Sequence, residues 1–143
     1  MSNKVNMKKY GLHILVLVAI ALLLCVCLAC GFKVKLGQEF SLSIGQSAVI
    51  AGEDLEITFE EVSEDSRCPE GAVCVWEGRV VCFVKITEGE ASCRIELAQP
   101  GLSDEYSQET YEGYKFTFKV EPYPEVDKEI LNSEYRLLLT ISK

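Results

Sequence analysis

Residues 64–78, EDSRCPEGAVCVWEG, crowd two cysteines, a proline, two glycines and the chain's only tryptophan into one stretch. Side chains of these types can form a metal site, a redox pair, a catalytic loop, a binding loop or a covalent clamp. Spacing separates the options. A zinc hook needs two cysteines two to four residues apart and a second pair with similar spacing. Here five residues separate Cys68 from Cys74, and the next two cysteines, Cys82 and Cys93, are further apart still. A dithiol redox pair needs Cys-x-x-Cys at the start of a helix, and neither condition holds.

Other chemistry is limited by an absence. The single histidine is His13, far from this stretch. The chain after residue 30 therefore has no Ser-His-Asp or Cys-His constellation and no histidine metal ligand. Carboxylates are abundant, as in Glu60-Glu61, Glu64-Asp65 and Asp104-Glu105. No pair is singled out by its spacing, and neighbours such as Glu60 and Glu61 should point to opposite faces of a strand. No calcium loop or glycine-rich phosphate loop is present. The sequence thus argues against an enzyme and implies no cofactor and no metal.

What remains is a structural disulfide. Four cysteines, Cys68, Cys74, Cys82 and Cys93, allow three connectivities. The preferred one joins Cys68 to Cys74 and Cys82 to Cys93. The first bridge closes a short loop in which Pro69 and Gly71 suit a tight turn, worth about 2–3 kcal/mol. The second follows if Thr87-Glu88 form a two-residue hairpin turn, which sets Cys82 opposite Cys93. Trp76, two residues past Cys74, is expected on the same strand face, packed beside the disulfide as a core anchor. Arg67 is expected in an exposed or half-buried ion pair with a nearby carboxylate.

These residues need a scaffold, and the pattern around them is β. Alternating apolar and polar residues predict strands over 39–44, 47–50, 55–60, 79–86, 91–98, 114–121 and 134–142. Val62 breaks the alternation and predicts a bulge or a bend before the loop. Residues 99–109 read as a polar loop, and Pro122-Tyr123-Pro124 stops a strand. The expected fold is all-β: a single antiparallel β-sandwich or small barrel of about seven strands over residues 39–143.

The N-terminal part reads differently. Lys4, Lys8 and Lys9 precede an apolar run over residues 12–29, followed by Cys30 and Gly31. This is the pattern of a secretory signal or a single-span anchor. The end of the run resembles a bacterial lipobox: Ala29 precedes Cys30 and Gly31 follows it, although Cys27 stands where leucine is usual. That resemblance implies cleavage before Cys30 and a lipid on it, so residues 1–30 are expected as a lipoprotein-type signal or, as the second reading, a one-span membrane anchor; a short tether over 31–38 and an extracytoplasmic domain follow. An even set of four cysteines suits an oxidising compartment. After Cys30 the chain holds 11 basic and 22 acidic residues, a net charge of −11. Such a surface repels nucleic-acid phosphates, so nucleic acid is not expected as a partner.

Asp65-Ser66-Arg67-Cys68-Pro69, then Cys74, Trp76 and Gly78, also resemble an uncharacterised family of small exported or lipid-anchored β-domain proteins with a DSRCPxxxxCxWxG signature. Leu55, Ile57, Phe59 and Val62 before it, and Pro122-Tyr123-Pro124, Ile130 and Tyr135-Arg136 after it, extend the resemblance over most of the chain from residue 39. It supports an extracytoplasmic β domain and the Cys68–Cys74 bridge. The functional expectation is a membrane-tethered binding module for an envelope protein or a small ligand, with Arg67, Glu70, Gly71, Ala72, Trp76 and Tyr123 as its candidate binding loop. A protease-inhibitor-like domain presenting the clamped loop is the alternative, and a carboxylate-dependent hydrolase is less favoured.

Overall fold

The computed structural model describes residues 31–101 and 105–143, with His13, Ile14 and Val16 before them. The chain divides into two compact units, Met1–Cys30 and Gly31–Lys143. Of the first, the three described residues are helical. The expected lipid attachment at Cys30 and most of the apolar run lie outside the described residues, as does Asp104.

The second unit is all-β, with two sheets packed as a sandwich. Its nine strands are β1 (Phe32–Lys35), β2 (Glu39–Ser43), β3 (Ser47–Ala51), β4 (Leu55–Asp65), β5 (Arg79–Glu88), β6 (Ala91–Pro100), β7 (Ser107–Tyr111), β8 (Tyr114–Glu121) and β9 (Arg136–Ser142). One sheet has the order β1-β3-β4-β5-β6 and the other β2-β9-β8-β7. All neighbours are antiparallel except β1 and β3. Two segments read as irregular are strands. The expected tether contains β1, which hides Val34 in the core and joins the domain. The expected loop over 99–109 holds the end of β6 and the start of β7, a polar edge strand whose alternation is weak because it buries none of its residues.

The core lies between the sheets. Phe59, Phe116, Phe118, Ile57, Leu137 and Leu139 are fully buried on the inward faces of β4, β8 and β9. Side chains of this kind contribute roughly 1.5–3 kcal/mol each relative to exposure. They make the sandwich a firm base for whatever its ends display.

The β5–β6 hairpin corrects the second disulfide. Its turn is Gly89-Glu90, with Glu88 opposite Ala91. Gly89 supplies the positive φ, 58°, that the first central position of a primed turn requires. Thr87, β-branched, is poorly suited to that position. The register therefore pairs Cys82 with Leu97 and Cys93 with Ile86. Four residues of strand separate the two cysteines, about 13 Å, beyond the reach of a disulfide, and both are free thiols. Burial pushes the Cys82 thiol up to about 12. Half-buried Cys93 donates to the Tyr111 hydroxyl at 2.9 Å, linking β6 to β7 across the sheet edges. In native protein an alkylating reagent should modify Cys93 and spare Cys82, with both labelled after unfolding. Peptide mapping of unreduced protein checks this, and a Cys82–Cys93 linked peptide would refute it.

Candidate functional site

β4 and β5 form a long ribbon that carries residues 66–78 to one pole of the sandwich. Two bulges shape β4, where Glu60 and Ser63 are extra residues against β5. The first bulge overturns the expectation for Glu60 and Glu61. Both carboxylates turn to Arg94, which Glu60 meets at 2.8 Å and whose guanidinium lies 3.8 Å from the Phe83 ring centroid. They form a surface ion-pair cluster rather than a solvated pair of opposite aspect.

Beyond the bulges, Asp65 sits opposite Val80 and faces inward. Arg67 is the centre of the site. It is 3 % exposed, against the expectation of an exposed or half-buried ion pair. Its Nε and Nη2 donate to the two Asp65 carboxylate oxygens at 2.8 and 2.6 Å. Nη1 donates to the Val120 carbonyl and Nη2 to the Pro122 carbonyl, each at 2.9 Å. The guanidinium is thus a pin between the two sheets, joining the end of β4 to the end of β8. A planar, forked donor can serve all these acceptors at once, which an ammonium cannot. The Tyr123 ring lies 5.1 Å from the guanidinium carbon, and its hydroxyl donates to the Gly101 carbonyl at 2.6 Å. Tyr123, expected in the binding loop, is instead part of the base.

The Tyr135 hydroxyl donates to Asp65 Oδ2 at 3.1 Å. Burial, then the Asp65 charge and this hydrogen bond, push Tyr135 up to about 12. A tyrosine raised above its unfolded value of about 10 favours the fold while protonated. Its contribution is full below the unfolded value and is lost as pH rises through the folded one. Stability should therefore decline between about pH 10 and 12. Tyr135→Phe should make that decline shallower, as measured by denaturant unfolding at each pH; an unchanged slope would contradict it.

The neck of the loop is fixed by backbone contact. Ser66 N donates to the Arg79 carbonyl at 2.8 Å, and Arg79 N returns a bond to Ser66 Oγ at 3.1 Å. Gly78 has φ 67° and packs so tightly that a Cβ there would lie 1.9 Å from the Ser66 carbonyl oxygen. Gly101 N donates to the Gly78 carbonyl at 3.1 Å. Buried Gln99 completes the support: Val120 N donates to its Oε1 at 2.8 Å, and its Nε2 donates to the Glu105 carbonyl at 3.1 Å.

Above the neck, the disulfide joins Cys68 to Cys74 with Cα atoms 5.8 Å apart. Glu70 N donates to the Pro124 carbonyl at 2.8 Å, so the loop also leans on the β8–β9 connection, where Val126 stands beside Gly71. The tip is apolar and open. Val73, Val75 and Trp76 are 101 %, 93 % and 74 % exposed. Trp76 is therefore not a core anchor. Arg67 holds the loop, and Val75 and Trp76 form bends rather than strand, so no alternation carries Trp76 inward. Glu70, Gly71 and Ala72 are exposed with it. Alternation counts could not find Arg67; the aspartate two residues before it was the available signal.

Beside the base lies an open cleft of about 600 Å3 lined by Glu121, Pro122, Tyr123, Glu134 and Arg136. Among the described residues, no three histidine, cysteine or carboxylate side chains gather as metal ligands do. What the loop presents to solvent is apolar surface, from Val73, Val75 and Trp76. No family model matches this chain, and no curated protein and no solved structure matches it.

Proposed function

We propose that this protein is a membrane-tethered, extracytoplasmic binding module whose contact element is the clamped loop 68–76. One observation carries the reading: a disulfide-closed loop exposes Val73, Val75 and Trp76 from a base pinned by a buried Arg67. A soluble domain gains nothing for its own stability from three large apolar side chains held in water, and such patches mark interaction surfaces. Rigidity lowers the ordering cost of binding. Of the residues that carry the DSRCPxxxxCxWxG resemblance, Asp65, Ser66, Arg67, Cys68, Cys74 and Gly78 all have a role in the fold. Trp76 is the member turned outward, and tryptophan is the side chain most often dominant at contact surfaces. The Cys68–Cys74 bridge suits an oxidising compartment, and the apolar run before Cys30 supplies the tether.

The full chain expressed in a bacterium should partition with membranes, carry a lipid mass on Cys30, and be digested by protease added outside the cell membrane. Recovery in the cytosol with Cys68 and Cys74 both as thiols would overturn the reading. A protease-inhibitor reading draws on the same clamp and gains from the outward Trp76, since the tip is free to enter a protease cleft. A protease panel checks it: cleavage of the loop without inhibition dismisses it.

A further inference from the structure

Resting on that reading, we infer that the apolar tip of the loop seats in the lipid surface to which the chain is tethered, giving the domain a second point of membrane contact. Three observations lead there. The tip, Ala72-Val73-Cys74-Val75-Trp76, carries no charge, and its charged neighbours Glu70 and Glu77 stand at its margins. Valine enters the acyl boundary readily, and tryptophan prefers the interface between hydrocarbon and water.

Strand direction gives the second observation. β3 runs antiparallel to β4, and β1 runs parallel to β3. β1 therefore leads away from the pole at which β4 delivers the loop, and Gly31 stands on the loop side of its own strand. Through β3, the start of β1 is level with the middle of β4, with Phe32 beside Ala48 and Ala48 opposite Ile57. The rest of β4 carries the loop past that level in the direction from which the chain arrives. A domain held at Gly31 by a membrane anchor turns the loop pole, and not the opposite one, to the bilayer.

Thirdly, the strand at the anchored end has interfacial character. Phe32 is 37 % exposed, and Lys33 and Lys35 are exposed beside it. Aromatic and basic side chains of this kind sit well among head groups. The tether keeps the tip at high effective concentration near lipid, so a small apolar contact suffices. The net charge of −11 after Cys30 sets a condition. Anionic lipid should oppose seating and zwitterionic lipid should permit it, with added salt narrowing the difference.

Trp76 is the only tryptophan in the chain and reports on its own surroundings. The test reconstitutes the full chain from detergent into phosphatidylcholine vesicles, with and without phosphatidylcholine brominated on its acyl chains, and scores both flotation and tryptophan fluorescence. The expected result is that the chain floats, Trp76 emission moves to shorter wavelength, and brominated lipid removes most of it. A V73E/V75E variant, altered at two fully exposed positions, should keep its thermal midpoint and its flotation but lose the quenching. Part replacement by phosphatidylglycerol should weaken quenching at low salt. A chain that floats with Trp76 unshifted and unquenched overturns lipid seating while leaving the tethered module standing, its tip then open to a protein partner. A chain that fails to float overturns both.

Discussion

Replacing Arg67 by methionine is expected to cost about 3–5 kcal/mol of folding stability, the penalty for breaking a buried ion pair from one side. Methionine keeps the bulk of the side chain, so packing loss is small. What is lost is a donor set. The Asp65 carboxylate, only 10 % exposed, would keep the Tyr135 hydroxyl as its side-chain donor, and the Val120 and Pro122 carbonyls would lose theirs. A thermal midpoint lower by roughly 15–25 °C follows for a domain of this size. Arg67→Lys should recover part of the loss, because the charge returns without the fork. The double variant Arg67→Met with Asp65→Ala should be less unstable than the sum of the two single changes, since no orphan charge remains. A loss below 1 kcal/mol for Arg67→Met, measured by denaturant unfolding, would show that the pin is dispensable.

Gly78→Ala should be comparably damaging for a different reason. The new Cβ would lie 1.9 Å from the Ser66 carbonyl oxygen and 2.6 Å from its carbon. The backbone would also be held at φ 67°, where side chains cost roughly 1–2 kcal/mol. Relief requires opening the neck, with loss of the bonds between Ser66 and Arg79. The expected loss is about 3–5 kcal/mol. Gly113→Ala is the comparison, because Gly113 shares a positive φ of 84° but has open space around it. That substitution should cost about 1–2 kcal/mol. Equal effects in the two variants would locate the cost in the φ angle alone and exclude the close approach. If Gly78→Ala still folds, near-native dispersion of its other signals would confine the damage to the neck.

Much of the fold could be read from alternation, because the core is built from inward faces of strands. Tyr114, Phe116, Phe118 and Val120 all lie inward on β8 as their spacing predicts. Val62 correctly marked a bulge. The bridge Cys68–Cys74 followed from spacing and compartment. The misses have physical causes. β1 is too short for its pattern to stand out, and it is held by a parallel pairing with β3 that no local signal announces. Cys93 was misplaced because a hairpin turn set two residues further along the chain, at Gly89 instead of Thr87, moves every cross-strand partner by four. Trp76 was assigned to the core by its chemistry. In the structure the anchoring task falls to Arg67, whose partners Val120 and Pro122 are backbone carbonyls far along the chain and invisible to any count of side-chain types.

The pair of bulges in β4 also bears on where the strand can change its length. Inward positions run Leu55, Ile57, Phe59, then Val62 opposite Cys82 and Asp65 opposite Val80. Each bulge reverses the alternation once, and two reversals return Asp65 to the inner face, where Arg67 meets it. Each extra residue carries its own reversal, so deleting Glu60 or Ser63 removes both together and leaves Asp65 opposite Val80. Deleting a paired residue such as Glu61 or Glu64 would instead set the strand one step out of phase with β5 and turn Asp65 from Arg67. The two extra residues are therefore the places where β4 can change its length without undoing the pin.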